Sequence, residues 1–511
     1  MHSLKVFGIA AAAFILVLAS APAHVSARTL SSGLSGTDVK TLQTQLISRG
    51  YLSASATGYF GPATLAAVKK FQCDNKIVCS GSSFGIVGPK TQAALSLSTS
   101  SGQAGTDSSV GASTAQAPAG VTPGVDPNQQ GVLTGKSIGP KWTGPLEFSG
   151  WMPDWRAQQS VDDVTPHLGQ LKSVMPFGYK VNAQGQVVGD FIPTMEPWKS
   201  FIAEAKKKGV RVVPSVVMGD GPTIHAVLSN TQMRIALEDE IANIVKANGF
   251  DGIDIDFEAK QARTRDYFST FLKGLYARMG NKFVYCTIES RSPLNHRYLP
   301  GQTIPPDALD YANDYSAMNK YCDRVEIMAY DQGIVDQLLN SARSAPYAPV
   351  ADPGWTGAMV ELVAQSIEKK KLILGVPTYG YEYKVTPQGG GSFDYQSLWA
   401  FNPNYATELA KKLGITPRRT SANEIGFTYY DGDAHAPTGG NTTKTQQKPA
   451  TGSTSNLGSQ LAGSKPFNYV TWSDAIAIKD KVDQAREYGL RGVAVFSLGG
   501  AEDPAMWSIL K

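Results

Sequence analysis

The sequence predicts an α/β fold: a (β/α)8 TIM barrel with a small α+β insertion after its seventh strand, preceded by a small three-helix domain. Eight β-rich apolar runs alternate with helical patterns after residue 146, and the stretch between the seventh and eighth runs is too long for one helix. Strands that alternate with helices favour parallel βα units, and eight such units close a barrel. A length of 511 residues with 42% hydrophobic and 18% charged residues favours a globular protein of two or more domains.

The N-terminal residues 1–27 are typical of a signal peptide. Lys5 precedes an apolar run over residues 6–19, and small-x-small cleavage sites end at Ala23 and at Ala27. The alternative is an uncleaved membrane anchor, but the run is shorter than the roughly 20 apolar residues that span a bilayer. We therefore expect a secreted protein, extracellular or associated with the cell wall, with no integral membrane segment after cleavage.

A repeated motif indicates a compact three-helix module over residues 30–97. The segment Gly61–Val68 recurs as Gly88–Leu95, and each copy has a proline at the first helical position, where its missing N–H costs nothing. Asp38 begins the remaining helix, whose apolar face consists of Val39, Leu42, Leu46 and Ile47.

The four cysteines and the low-complexity stretches complete the organisation. Cys73 and Cys79 close a short loop, and an oxidising compartment favours a disulfide between them over two free thiols, whereas the pairing of Cys286 and Cys322 stays open. Residues 98–142 are rich in Ser, Thr, Gly, Ala and Pro and are expected to form a flexible linker.

The remaining residues, 143–511, carry the predicted barrel. An insertion over about residues 383–472 holds two strand-like pieces and a polar stretch that we expect to be a surface loop. The eight predicted barrel strands are residues 146–151, 173–178, 210–217, 252–258, 282–289, 324–330, 371–378 and 492–498.

The fourth predicted strand carries an unusual acidic face. Because residues two apart on a strand point the same way, Asp254, Asp256 and Glu258 share one face and the apolar residues between them share the other. The apolar face must meet the surrounding helices, so the carboxylates point into the barrel. Their mutual repulsion should keep at least one of them protonated near neutral pH, and Glu258, nearest the mouth, is the candidate general acid. The alternatives are a cation site or a solvated acidic edge strand.

These residues resemble a known family. The segment Asp251–Glu258 reads Asp-Gly-x-Asp-x-Asp-x-Glu and is similar to the signature of family 18 glycoside hydrolases, the chitinase family. Met328–Asp331 resembles the family's Met-x-Tyr-Asp, and Gly375–Gly380 is similar to its seventh strand. The barrel with its insertion also resembles spore-germination hydrolases of this family.

The resemblance implies an enzyme with substrate-assisted, retaining chemistry that needs no metal or organic cofactor. Glu258 would protonate the leaving oxygen, Asp256 would orient the substrate's acetamido group, Asp254 would hold Asp256, and Tyr330 would hydrogen-bond the acetamido carbonyl. Phe496 stands where the family usually has a tryptophan under the sugar. The candidate substrate-binding residues are Asp251, Met328, Asp331, Tyr379, Phe496 and Trp151, of which Tyr379 and Trp151 could equally be packing residues.

Residues 30–97 resemble the peptidoglycan-binding module of bacterial wall hydrolases, through segments such as Thr57–Pro62 and Phe71-Gln72. The expected function is hydrolysis of β-1,4 bonds in an N-acetylhexosamine polymer, foremost cell-wall peptidoglycan. The alternatives are a chitinase and a non-catalytic wall- or chitin-binding lectin on the same barrel. A net charge of +4 is too weak to argue for nucleic acid, and we expect a monomer.

Overall fold

A computed structural model describes residues 37–53, 62–79 and 84–95, the single positions Leu30, Ala56 and Phe60, and residues 131–189, 191–388, 392–432 and 465–511. The predicted signal peptide, the first part of the predicted linker and the polar stretch at 433–464 lie outside the described residues. The chain divides into two compact units, residues 1–118 and 119–511.

The first unit contains the three expected helices, α1 (Thr37–Ser48), α2 (Pro62–Asp74) and α3 (Pro89–Ala94). The repeat explains how they pack: Gln43 Nε2 donates to Thr64 Oγ1 at 2.9 Å, and Gln72 Nε2 donates to Thr91 Oγ1 at 3.0 Å. Thr64 and Thr91 occupy the same position of the two repeat copies, so each copy is clamped to the preceding helix by the same buried bond.

Two details of this module refine the sequence expectations. Ile47 is 38% exposed, because it lies at the edge of the apolar face that Val39, Leu42 and Leu46 bury. Cys73 is joined to Cys79 by a disulfide.

The second unit is a closed barrel of eight parallel strands. Their order is β1, β15, β9, β8, β7, β6, β5 and β2, and pairing of β2 with β1 closes the ring. The strands of this sheet are β1 (Glu147–Pro153), β2 (Ser173–Val181), β3 (Val187–Val188), β4 (Arg211–Val212), β5 (Ser215–Met218), β6 (Gly252–Phe257), β7 (Phe283–Ile288), β8 (Arg324–Ile327), β9 (Leu372–Pro377) and β15 (Gly492–Phe496).

The third predicted strand is divided in the structure. Pro214 separates β4 from β5, because proline has no N–H to donate to a neighbouring strand. Its carbonyl still accepts a bond from the Asp254 N–H at 2.9 Å, so the barrel stays closed there and Ser215 is paired in register with Asp254.

Helices surround the barrel. Buried side chains on them pack against the outward-facing residues of the strands, as Phe257 of β6 does against Phe271 with ring centroids 5.4 Å apart. The helices of this unit are α4 (Ala157–Val164), α5 (Trp198–Lys207), α6 (Gly221–Ser229), α7 (Thr231–Ala247), α8 (Arg265–Met279), α9 (Leu294–Arg297), α10 (Tyr315–Tyr321), α11 (Gln337–Ala342), α12 (Pro353–Val363), α13 (Pro403–Leu413) and α14 (Ala475–Tyr488), of which α13 belongs to the insertion. A disulfide between Cys286 and Cys322, left open by the sequence, links β7 to the residue after α10.

The insertion is a five-stranded antiparallel sheet ordered β11, β10, β14, β13, β12, with α13 packed on it. It begins at Gly380, three residues before the predicted boundary, because β10 follows β9 almost at once. The strands are β10 (Gly380–Pro387), β11 (Phe393–Phe401), β12 (Arg418–Arg419), β13 (Ile425–Tyr429) and β14 (Phe467–Trp472).

The predicted linker is too long at its C-terminal end. Residues 131–142 are held on the second unit by hydrogen bonds. The Thr134 N–H donates to Gln365 Oε1 at 2.6 Å, the Ile138 N–H donates to the Ala364 carbonyl at 2.8 Å, and the Trp142 N–H donates to the Gly489 carbonyl at 2.8 Å. Backbone groups with such partners belong to the fold, so this part of the stretch packs on the barrel despite its loop-like composition.

A buried charge fastens the insertion to the barrel. Glu424, just before β13, accepts bonds from the Val350 N–H at 3.0 Å and the Ala351 N–H at 2.7 Å, both in the segment that leads into α12. Burial raises the pKa of Glu424, and the buried Lys481 ammonium on α14 opposes that rise. The two groups thus depend on each other for charge compensation.

Replacing Glu424 with alanine should lower the free energy of unfolding of the second unit by about 3 kcal/mol, because the buried Val350 and Ala351 N–H groups would lose their acceptor and Lys481 its largest opposing charge. Urea denaturation followed by tryptophan fluorescence measures the change. Glu408→Ala, on an exposed position of α13, is the matched control and should cost at most about 0.5 kcal/mol. Equal effects of the two substitutions would contradict the role of Glu424.

Candidate functional site

The site lies at the C-terminal end of the barrel, where β6 delivers its carboxyl groups. Ile253, Ile255 and Phe257 are fully buried against the helices, while Asp254 and Asp256 point into the barrel, as the alternation predicts. Glu258 follows the last strand residue and is partly exposed. Enzymes of this architecture carry their active sites at this end.

Asp254 is fully buried at the bottom of the site, and three hydrogen-bond donors fix its carboxyl group. Its Oδ2 accepts from Trp151 Nε1 at 3.0 Å and from Ser215 Oγ at 2.6 Å, and its Oδ1 accepts from Thr287 Oγ1 at 2.8 Å. Burial raises the pKa of this carboxyl, and the three hydrogen bonds oppose the rise by stabilising the ionised form. Ser215 and Thr287 come from the strands on either side of β6.

Asp256 lies between Asp254 and Glu258 in the chain and differs from Asp254 in its hydrogen bonding. It is 3% exposed, and its Oδ1 has no hydrogen-bond partner among the described residues. Burial, followed by the charges of Glu258 and Asp254, raises the pKa of Asp256 well above its usual range. The environment of Asp256 therefore disfavours its ionised form, and one of its oxygens is available for a ligand.

Glu258 stands at the mouth. Burial raises the pKa of Glu258, and the charge of Glu289 raises it further. The chain turns sharply after it, since Ala259 has a φ of 55° and its carbonyl approaches Gly221 so closely that a Cβ there would lie 2.3 Å away. A half-buried carboxyl with a raised pKa at the open end of a barrel is suited to donate a proton.

Aromatic rings form the wall beside these carboxyl groups. The Tyr330 ring is stacked on Phe496 with centroids 5.4 Å apart, and Tyr379 meets Phe496 edge to face at 6.1 Å. Gly375 of β9 leaves room for Tyr330, because a Cβ there would lie 3.0 Å from its ring. The Tyr379 and Tyr381 hydroxyls both donate to Asp331 Oδ1. Asp331 has a φ of 62°, a left-handed conformation that fixes its carboxylate at the rim.

The structure does not bring every predicted residue to this wall. Asp251 lies at the opposite, N-terminal end of β6, where its Oδ2 accepts the Val212 N–H at 2.9 Å, so it does not reach a substrate at the mouth. Trp151 is 1% exposed and supports Asp254 from inside the barrel instead of facing a sugar. Met328 is partly buried in the segment between β8 and Tyr330. Trp155 is 64% exposed beside Phe177.

Three polar residues on other barrel strands, Ser215, Thr287 and Glu326, were not among the predicted site residues. Glu326 of β8 is fully buried with Oε1 unpartnered among the described residues, and burial followed by the charge of Asp254 raises its pKa well above the usual range. Ser215, Thr287 and Glu326 are polar positions inside otherwise apolar strands, which is the signal that could have identified them. Within the described ranges, no group of three or more His, Cys, Asp or Glu side chains is arranged to hold a metal ion.

A barrel with a protonatable glutamate at its mouth, a buried carboxyl stack below it and an aromatic wall beside it defines a carbohydrate-cleaving enzyme. The model for glycosyl hydrolases family 18 matches residues 150–501, and the chain belongs to this family as a glycoside hydrolase. A peptidoglycan binding domain model matches residues 35–95, the unit that contains the repeat.

Known proteins similar to this chain support the family assignment. An uncharacterized glycosylase, YvbX of Bacillus subtilis strain 168, is 22% identical over 363 residues, which are 69% of this chain and 87% of that protein. The spore cortex-lytic enzyme SleL of Bacillus megaterium QM B1551 has a TM-score of 0.52 at 20% identity, over 73% of this chain and 74% of that chain. A chitinase of Chromobacterium violaceum ATCC 12472 has a TM-score of 0.53 at 19% identity, over 72% of this chain and 98% of that chain. The two solved structures establish the fold.

In the part of the chain that the structure describes, no helix combines the length and apolarity that crossing a bilayer requires.

Replacing Ser215 with alanine should lower kcat about tenfold, because one hydrogen bond to a buried charged group contributes roughly 1.5 kcal/mol. The acidic limb of the pH–rate profile should move to higher pH, since the ionised form of Asp254 loses a donor. KM should change less than kcat, because Ser215 lies inside the barrel and not on the wall.

The matched control is Ser149→Ala, which removes another buried serine, one whose hydroxyl bonds the Val493 carbonyl at 3.2 Å rather than a carboxylate. Steady-state kinetics on a soluble N-acetylated oligosaccharide compare the two variants. If Ser149→Ala lowers kcat as much as Ser215→Ala does, the bond to Asp254 has no special importance.

Proposed function

We propose that this protein is a wall-lytic enzyme that hydrolyses β-1,4 bonds of peptidoglycan by substrate-assisted, retaining catalysis. The observation that carries the mechanism is the state of Asp256, a buried carboxyl with a raised pKa and an unpartnered oxygen. A carboxyl whose surroundings disfavour the ionised form is a poor nucleophile. The attack on the anomeric carbon therefore falls to the substrate, whose 2-acetamido group supplies the oxygen.

The first step places the N-acetyl sugar over Phe496 with its acetamido group beside Asp256 and Tyr330. The acetamido oxygen attacks C1, the glycosidic C–O bond breaks, and Glu258 gives its proton to the leaving oxygen. Asp256 accepts the acetamido N–H as that group gains positive charge, and the ionised Asp254 below takes up a share of the proton of Asp256. The Tyr330 hydroxyl donates to the acetamido oxygen.

The second step reverses the proton movement. Glu258, now ionised, removes a proton from a water molecule, and that water attacks C1 from the side that the leaving group vacated. The bond between C1 and the acetamido oxygen breaks, and the sugar is released with its original anomeric configuration. Glu258 is then protonated again, so the cycle consumes only water.

Peptidoglycan is favoured as the substrate because one chain joins the glycoside hydrolase barrel to a peptidoglycan binding domain. The similar proteins include an enzyme whose name describes it as spore cortex-lytic. We infer an extracellular or cell-wall location on the same ground. Stacking on Phe496 without an indole N–H removes one donor below the sugar, which favours tolerance of a substituted ring.

Two alternative functions have to be weighed against the same site. A chitinase would use an identical site on an unsubstituted polymer, and a chitinase of similar fold is known. A non-catalytic lectin would need no proton donor at the mouth, so the raised pKa of Glu258 argues against it.

Glu258→Gln should abolish turnover on every substrate while leaving folding intact, because the amide keeps the shape of the side chain and loses the transferable proton. The expected loss in kcat is on the order of 10² to 10⁴. The measurement is release of new reducing ends from purified peptidoglycan, chitin and fully deacetylated peptidoglycan, with the ends identified by mass spectrometry.

The wild-type enzyme should cleave peptidoglycan faster than chitin and leave the deacetylated polymer intact. Preference for chitin would overturn the proposed substrate but keep the mechanism. Hydrolysis of the deacetylated polymer at a comparable rate would overturn substrate assistance, and a Glu258→Gln variant with near wild-type turnover would overturn the assignment of the acid.

Deletion of residues 35–95 should lower activity on insoluble wall about tenfold or more, because tethering raises the effective concentration of an immobile substrate. The same deletion should leave kcat and KM on soluble oligosaccharides within about twofold of the wild type, since the barrel has a hydrophobic core of its own. Equal losses on both substrates would mean that the module contributes to the catalytic unit. No loss on either would leave the module without the proposed role.

A further inference from the structure

A buried lysine follows the candidate acid closely in the chain. Lys260, two residues after Glu258, has no exposed side-chain area, and its Nζ lies 3.0 Å from Glu289 Oε2. The ammonium also donates to the Phe257 carbonyl and lies 5.0 Å from the centre of the Phe268 ring. Glu258 and Glu289 directly follow the last residues of β6 and β7, which are neighbouring parallel strands with Ile255 paired to Cys286, so the ion pair and Glu258 lie at the same end of the barrel.

The partner carboxylate is equally constrained. Glu289 follows β7 and is 28% exposed at its side chain, and its Oε2 also accepts from Asn313 Nδ2 at 3.1 Å. Its backbone carbonyl accepts the Tyr311 hydroxyl at 3.0 Å. Although burial opposes ionisation, Lys260 and the hydrogen bonds lower the pKa of Glu289, so this carboxylate stays charged.

No step of the substrate-assisted scheme uses these two groups. A buried ion pair is rarely needed for stability, because apolar residues of similar volume usually serve as well. A fixed pair of opposite charges next to a proton donor can instead control when that donor holds its proton.

We propose that Lys260 and Glu289 are positioning residues that hold Glu258 in the proton-donating state before cleavage and stabilise it as a carboxylate afterwards, an inference that rests on the proposed role of Glu258. Glu289 disfavours a second negative charge at the mouth and so retains the proton on Glu258. Lys260 limits that effect, so that Glu258 can still lose its proton to the leaving oxygen.

The charges around Glu258 support these opposite roles of Glu289 and Lys260. After burial, Glu289 is the largest charge that raises the pKa of Glu258, Lys260 lowers it, and Asp331 raises it again. The remaining groups at the mouth are Asp256, whose pKa burial and the charges of Glu258 and Asp254 raise well above its usual range, and the Tyr330 hydroxyl, whose pKa is raised well above its usual range, chiefly by burial. The Lys260–Glu289 pair thus contributes the two opposing charges that single substitutions can remove separately.

The test is the dependence of kcat/KM on pH for Glu289→Gln and Lys260→Gln. Activity is lost on the alkaline side when Glu258 gives up its proton to the solvent, so the alkaline limb measures the pKa of Glu258. Glu289→Gln should move the alkaline limb to lower pH by about one unit, and Lys260→Gln should move it to higher pH, because a neighbouring charge shifts a pKa by roughly one unit or more. The amide of Glu289→Gln can still accept from Asn313, and thermal unfolding verifies that each variant is folded.

Lys479→Gln is the matched control, since it removes a lysine that pairs with Asp483 on the outer face of α14 and should leave the limb in place. Limbs that stay within about 0.2 units of the wild type in both variants, or that move in the same direction, would falsify the proposal. If Lys260→Gln does not fold, the direction of the Glu289→Gln shift alone decides. The Glu258→Gln variant distinguishes failure of this proposal from failure of the proposed function. If Glu258→Gln is inactive and the alkaline limbs of the other two variants do not move, only the role of the Lys260–Glu289 pair is wrong. If Glu258→Gln is active, Glu258 is not the acid, and both proposals fail.

Discussion

The burial of Asp254 and Asp256 on the inward face of β6 is the constraint on which the rest of the structure depends. Water cannot solvate Asp254 inside the barrel, so the fold must supply donors, and Trp151, Ser215 and Thr287 do so from three other strands. Each donor has to lie at the height of Asp254, which requires the closed parallel register of the barrel. A barrel filled with apolar layers would be easier to stabilise but would have no chemistry at its mouth.

The hydrogen bonding and solvent exposure of the carboxyl groups change in steps from Asp254 to Glu258. Asp254 has a full set of partners, Asp256 has an oxygen without one, and Glu258 is partly exposed. Desolvation raises the pKa of all three carboxyl groups, but the neighbouring charges differ. One strand can therefore provide a fixed support, a ligand for a developing charge and a proton donor from three similar side chains.

The parts around the barrel stabilise and extend this arrangement. The insertion supplies Tyr381, which together with Tyr379 fixes Asp331 at the rim, and Glu424 joins the insertion to the barrel through buried backbone N–H groups. Residues 131–142 pack on the barrel, so the stretch between the two units is shorter than its composition implies. The peptidoglycan binding domain repeats one Gln–Thr clamp, which is an economical way to build a small core.

The sequence by itself determined the fold class, the positions of the eight strands to within a few residues, the acidic face of β6 and the three-helix module, because each is a local, periodic pattern. The tertiary structure decided what no periodicity contains. It placed Asp251 at the far end of β6, turned Trp151 inward to Asp254, and set Lys260 against Glu289, 29 positions away in the chain. These outcomes depend on strand direction and on register between segments distant in sequence, and those are selected by the packing of the whole barrel and not by the residues of one strand.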